Sequence, residues 1–147
     1  MDEPERRLNN AAFHDSPHLL GVVTYDGALR IVNAAWEKAL GYRLDALIGR
    51  KLAALADANE RATVLRLVNP RLAASDPAPI ELSLKCSNGS YRAFMWERRP
   101  VAAEQTMFIT GRDITEKKKI EITDSLKLYS LYARERKSPQ AGGQPKR

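Results

Sequence analysis

Residues 25–52, YDGALRIVNAAWEKALGYRLDALIGRKL, decide how the chain is read. Asp26-Gly27 separates two apolar runs, Leu20–Tyr25 and Ala28–Val32. Asp-Gly in that position signals a hairpin, because glycine tolerates the positive φ of the turn. Asn33 then stands where a helix should start, and its side chain is expected to cap the first free N–H groups. The next seven residues, AAWEKAL, place Trp36 and Leu40 four apart on one helical face. Gly41 stops that helix. Short helices are expected in LDALIG, stopped by Gly49, and in KLAAL.

The same logic extends in both directions. Upstream, residues 4–14 suit a short helix with Leu8, Ala12 and Phe13 near one face, broken at Asp15-Ser16-Pro17. Downstream, residues 58–73 form a longer helical stretch with Val64, Leu65 and Val68 inward, and Pro70 must kink or end it. After Asp76-Pro77 the apolar period changes from about 3.6 to 2. Ile80, Leu82 and Leu84 alternate with Glu81, Ser83 and Lys85. Residues 87–90 (SNGS) make a turn, Tyr91–Val101 a long strand, and residues 106–112 the last strand. The fold class is therefore α+β: a five-stranded antiparallel sheet with helices on one face, followed by a C-terminal helix.

Composition sets outer limits. The 147 residues are 44% hydrophobic and 29% charged, which suits one globular domain with some extra helix. No apolar run is long enough to span a bilayer, and the charged start MDEPERRLNN lacks a signal peptide's apolar core. A cytoplasmic protein is expected, and the single Cys86 agrees. The net charge of +6 is concentrated late: residues 116–147 hold 9 Lys/Arg against 4 Asp/Glu. A basic end of this kind is ordinarily a solvated face. Without a recognition helix or an aromatic platform, nucleic acid is not an expected partner; nor is a membrane.

These residues carry a family likeness. The 25–52 stretch, with D-G, N-x-A-W, L-G-Y and I-G-R in order, resembles the first half of a PAS domain. The later "CSNGSYRAFMW" and "TGRDITEKKK" resemble its second half, where an aromatic strand leads to R-D-I-T-E-K. The likeness runs from about Phe13 to Lys119. It implies a PAS/PAC sensory domain of bacterial, two-component type, not an enzyme. The chain is then expected to divide into a flanking helix over residues 1–15, the PAS domain over 16–115, a signalling helix over 116–137, and a tail over 138–147 whose composition reads as disordered. It further implies that Asp113, Ile114 and Thr115 couple the last strand to an output helix. The residues alone support a simpler reading, in which Asp113 as N-cap and Glu116 start that helix.

Strand parity names the candidate pocket. Phe94 and Trp96 share a face with Ile80, Leu82 and Leu84 on one side and with Met107, Ile109 and Gly111 on the other. Trp36, Leu40 and Val64 complete an apolar lining that either encloses a ligand or simply fills the core. Arg98 points the same way as Trp96. Inside, it would need a carboxylate such as Asp113 or a ligand acid; alternatively it reaches solvent by strand twist. A small apolar or carboxylate ligand is expected on this ground. Haem is not expected, since residues 58–73 hold no axial His and His14 and His18 precede the first strand. A covalent flavin photosensor is not expected either, since Leu52 stands near the place of the reactive Cys and Cys86 lies by a turn. A non-covalent flavin stays open, because Trp36 and Trp96 could stack on it, and a flavin redox sensor is one alternative function. Another is a ligand-free interaction module using Tyr91, Ala93 and Met95 on the outer sheet face. No catalytic set and no metal cluster is present in the sequence. Ile122, Leu126 and Tyr129, with Ala133, make a stripe on the terminal helix from which a homodimer is expected. The effector is expected to be a separate signalling protein or domain.

Overall fold

A computed structural model describes residues 11–143, with side chains as far as Arg134. The chain divides between Ile114 and Thr115 into two compact units. The first opens with helix α1 (Ala11–Asp15), the last turn of the expected flanking helix; its earlier part, with Leu8, lies outside the described residues. There follow β1 (Leu19–Thr24), β2 (Leu29–Val32), α2 (Ala34–Leu40), α3 (Leu44–Leu47) and α4 (Leu52–Leu55). A 3₁₀ turn (Ala58–Glu60) leads into α5 (Arg61–Val68) and α6 (Pro70–Ser75). The unit closes with β3 (Ile80–Lys85), β4 (Tyr91–Val101) and β5 (Thr106–Asp113). The second unit is helix α7 (Thr115–Gly143), which begins one residue before the expected 116 and continues beyond 137.

The strands form one antiparallel sheet in the order β2-β1-β5-β4-β3. The first strand therefore pairs with the last, Leu19 opposite Gly111 and Val23 opposite Met107. On the other side of β5, Gly111 faces Trp96 and Ile109 faces Arg98. Trp96 in turn faces Ile80, and Phe94 faces Leu82. Because side chains alternate along a strand, one face collects Leu19, Val23, Leu82, Leu84, Phe94, Trp96, Met107 and Ile109. All are buried, and the helices cover that face with Trp36, Leu40, Leu47, Leu52, Leu55, Val64, Leu67 and Val68.

Local chemistry explains most boundaries. Gly27 turns the first hairpin at φ 92°, and Gly41 ends α2 in the left-handed conformation at φ 88°. Pro70 starts a new helix rather than kinking the old one: Asn69 Oδ1 accepts from the N–H groups of Arg71 and Leu72, with the proline at the first helical position.

Two expectations are corrected. Leu65 is 63% exposed and Leu67 is fully buried, because at about 100° per residue Leu67 falls on the same side of α5 as Val64 and Val68, whereas Leu65 is turned out of that stripe. Asn33 sits at the N-cap of α2 but makes no capping bond. It is fully buried, its Oδ1 accepting from Leu20 N (3.0 Å) and its Nδ2 donating to Phe13 O and His18 O (both 2.9 Å). A buried amide that bonds to three distant backbone groups satisfies them all at once, and outweighs one local cap.

Candidate sensory site and junction

The inner face of the sheet holds the candidate pocket residues together. Trp36 and Trp96 lie with ring centroids 5.8 Å apart, and Phe94 lies 5.6 Å from Trp96. Both indoles are fully buried, and their N–H groups donate to Leu20 O (2.9 Å) and Leu82 O (3.1 Å) respectively. Each ring rests on a glycine. A Cβ at Gly111 would stand 2.6 Å from Cζ3 of Trp96, and one at Gly21 would stand 3.2 Å from Cζ2 of Trp36. Glycine in these two strands gives the tryptophans their seats. Leu40, Val64, Leu82, Leu84, Met107 and Ile109 pack in the same cluster.

The inner row of β4 is bounded by arginines. At one end Arg92 Nε donates to Asp113 Oδ2 at 2.6 Å, an ion pair that is about one-third exposed on each side. At the other end Arg98 is half-buried. Its Nη1 donates to Ala78 O and its Nη2 to Asp76 O, both at 2.7 Å. Asp113 is thus the partner of Arg92, not of Arg98; the β4–β5 register places Asp113 opposite Phe94 and Arg98 opposite Ile109, at separate ends of the sheet.

At the junction β5 runs through Asp113, and α7 begins at Thr115. Ile114, between them, is buried and donates its N–H to Ala93 O at 2.8 Å. On α7 itself Ile122, Leu126 and Tyr129 are exposed. They share one side with Ala133, while Ile120, Leu128 and Leu131 occupy the opposite side, so apolar residues are not confined to one stripe.

Of the remaining candidates, Cys86 is a buried free thiol whose Sγ donates to Ala39 O at 3.7 Å. The ring of His14 meets Phe13 edge-on, and His18 is exposed. Among the described residues no group of three or more His, Cys, Asp and Glu side chains is placed to hold a metal ion. Nor, among them, is any helix long and apolar enough to cross a membrane. Tyr91 is exposed, Met95 half-buried and Ala93 buried on the outer face. Three residues escaped sequence reasoning. Gly21 carried a signal, since an isolated glycine in a strand marks close approach. Arg92 followed the same parity as Phe94. Nothing local in the sequence marks the bonding of Asn33.

Against known proteins, the family described as PAS fold matches residues 13–119, well over half of the chain. A search of curated proteins gave no match. Several solved structures share the fold. A PAS domain from Colwellia psychrerythraea is 18% identical, with a TM-score of 0.63, covering 78% of this chain and 99% of its own. The PAS domain of an HTR-like protein from Haloarcula marismortui is 23% identical, with a TM-score of 0.57, covering 78% and 100%. The PAS domain of the RpfR quorum-sensing receptor from Cronobacter turicensis is known in complex with BDSF, at 20% identity, and with C12:0, at 19%; each has a TM-score of 0.58 and covers 69% and 97%. Sheet order, helical layer and family match coincide, and the chain belongs to the PAS-fold family of sensory, non-catalytic domains.

Proposed function

We propose that this PAS domain is a signal-transduction module that takes a small apolar or carboxylate ligand, or a partner protein, and relays the change through Asp113, Ile114 and Thr115. In this reading α7 is the output, two copies associate through Ile122, Leu126 and Tyr129, and a downstream signalling protein or effector domain responds. The observation that carries it is the continuity of β5. Met107, Ile109 and Gly111 line the core, and the same strand ends two residues later at an anchored carboxylate. A shift of the core-facing side chains would move the start of α7 directly. The Cronobacter turicensis domain in complex with C12:0 supports a chain-like apolar ligand. A cytoplasmic location belongs to the same reading, since Cys86 is a free thiol.

A second reading, an interaction and dimerisation module with a filled core, is favoured by the two tryptophans seated on glycines. Native mass spectrometry separates the two: extra mass that leaves on denaturation supports the sensor, and a bare dimer supports the interaction module. Hydrogen exchange over residues 115–126 then tests the relay. Asp113→Ala should change exchange there; a bare monomer whose α7 exchange ignores Asp113→Ala would sink the reading.

A further inference from the structure

Along the inner row of β4 the side chains run Arg92, Phe94, Trp96, Arg98. The two arginines are satisfied differently. Arg92 has a carboxylate. Arg98 has two neutral carbonyls on its Nη atoms, and its Nε is buried with no hydrogen-bond partner. Buried donors in native proteins are nearly always paired, so an orphan on a cation asks for an acceptor. A guanidinium meets a carboxylate through two adjacent N–H groups, and Nε with its neighbouring Nη is one such edge.

We propose that the Nε edge of Arg98 is the anion-recognition point of this domain and receives the carboxylate of a monocarboxylic acid with an apolar chain. This rests on the small-ligand reading above, and names the ligand class and its anchor. The carbonyls of Asp76 and Ala78 hold the fork in its plane, so the free edge is oriented before a ligand arrives. Asp76 does not fill that edge: Arg98 Nε has no hydrogen-bond partner, and the Asp76 Oδ1 accepts instead from Ala78 N (3.3 Å). The charge count favours a monoanion. Burial holds the guanidinium below the usual arginine range, the Asp76 carboxylate opposes this, and the Arg66 guanidinium reinforces it. Arg66, Asp76 and Arg98 together carry one net positive charge, which one carboxylate neutralises and a dianion would overshoot. The wall beside the edge is apolar: Ile109 faces Arg98 across the sheet, and Ile80 faces Trp96. An acid with a hydrocarbon chain matches that wall, whereas a polar acid would leave its other groups unpaired.

The test is calorimetric titration of the whole chain at neutral pH with hexanoate and decanoate, each against the alcohol of equal length. The acids should bind at least about tenfold tighter than the alcohols, as a charge-assisted pair predicts. Arg98→Met should abolish that preference, and Arg98→Lys, which keeps the charge but not the fork, should restore only part of it. Equal affinity of acid and alcohol overturns the proposal, as does an acid preference unchanged in Arg98→Met. Failure of every acid to bind wild type also overturns it; the sensory reading then stands or falls on its own mass and exchange measurements. Should Arg98→Met not fold, the acid–alcohol comparison on wild type decides alone.

Discussion

Replacing Gly111 with alanine probes the packing of the sensory core with a single methyl group. The added Cβ would lie 2.6, 2.7 and 2.9 Å from three ring carbons of Trp96, all inside the closest approach of real carbon atoms. The indole is fully buried and tied to Leu82 O, so it cannot swing into solvent without losing that bond and its apolar contacts. The strain of one methylene too many in a packed core costs about 1–3 kcal/mol. For a domain of this size that lowers the melting temperature by roughly 5–20 °C. The assay is urea unfolding followed by tryptophan fluorescence, combined with Trp96→Phe in a double-mutant cycle. Trp96→Phe alone should destabilise by about 2 kcal/mol, through a lost hydrogen bond and a small cavity. Because the smaller ring vacates the space that the new methyl needs, the double mutant should be more stable than additivity predicts by about 1–2 kcal/mol. Gly21→Ala, with its closest contacts at 3.1 and 3.2 Å, should cost less than Gly111→Ala. Wild-type stability in Gly111→Ala, or strict additivity with Trp96→Phe, would refute the account of glycine as the seat of the indole.

Three further outcomes follow from other parts of the molecule. Asn33→Ala should lower stability by about 2–4 kcal/mol in urea unfolding, since Leu20 N, Phe13 O and His18 O lose a buried partner together; a loss under about 1 kcal/mol would mean that water replaces the amide. Asp26 accepts from the Thr24 hydroxyl and from Lys51 Nζ, and these bonds lower its pKa from 3.8 to about 2. Its contribution is therefore full above about pH 4 and lost as the pH falls towards 2, so Asp26→Asn should flatten the melting temperature between those values, and an unchanged slope would contradict the pairing. Leu126→Asp, at a position 61% exposed on α7, should convert a dimer to a monomer in light scattering while leaving the melting of the PAS unit within about 0.5 kcal/mol; a persistent dimer would move the interface elsewhere.

Much of the fold is local and so was legible. Asp26-Gly27 and the AAWEKAL helix are set by residues within a few positions of each other, and β4 emerges at the expected Tyr91–Val101. Parity along a strand is equally local, which is why the inner set from Leu82 to Gly111 could be assigned without knowing the sheet order. What failed depends on distance in space. Asn33 follows the local rule for a helix cap, yet its partners lie 13 to 20 residues away. The exception is Leu67, whose place beside Val64 and Val68 follows from i, i+3, i+4 spacing and was legible locally. For Arg98, parity gave the side of the sheet, but its acceptors are backbone carbonyls, which no side-chain pattern marks. The pairing of Asp113 with Arg92 required the β4–β5 register.

The pairing of β1 with β5 has a consequence for how the chain reaches this state. During synthesis the hairpin β1–β2 emerges early, but β1 keeps one edge open until residues 106–111 arrive. Closing that gap brings together segments more than eighty residues apart, an entropic step that favours slow, late completion over stepwise assembly. Until then Leu19 and Val23 have no β5 beside them, and an open strand edge invites pairing with other chains. A chain truncated before Thr106 should therefore aggregate rather than fold to a smaller domain. In this topology the strand that leads to α7 is also the last piece that completes the PAS domain.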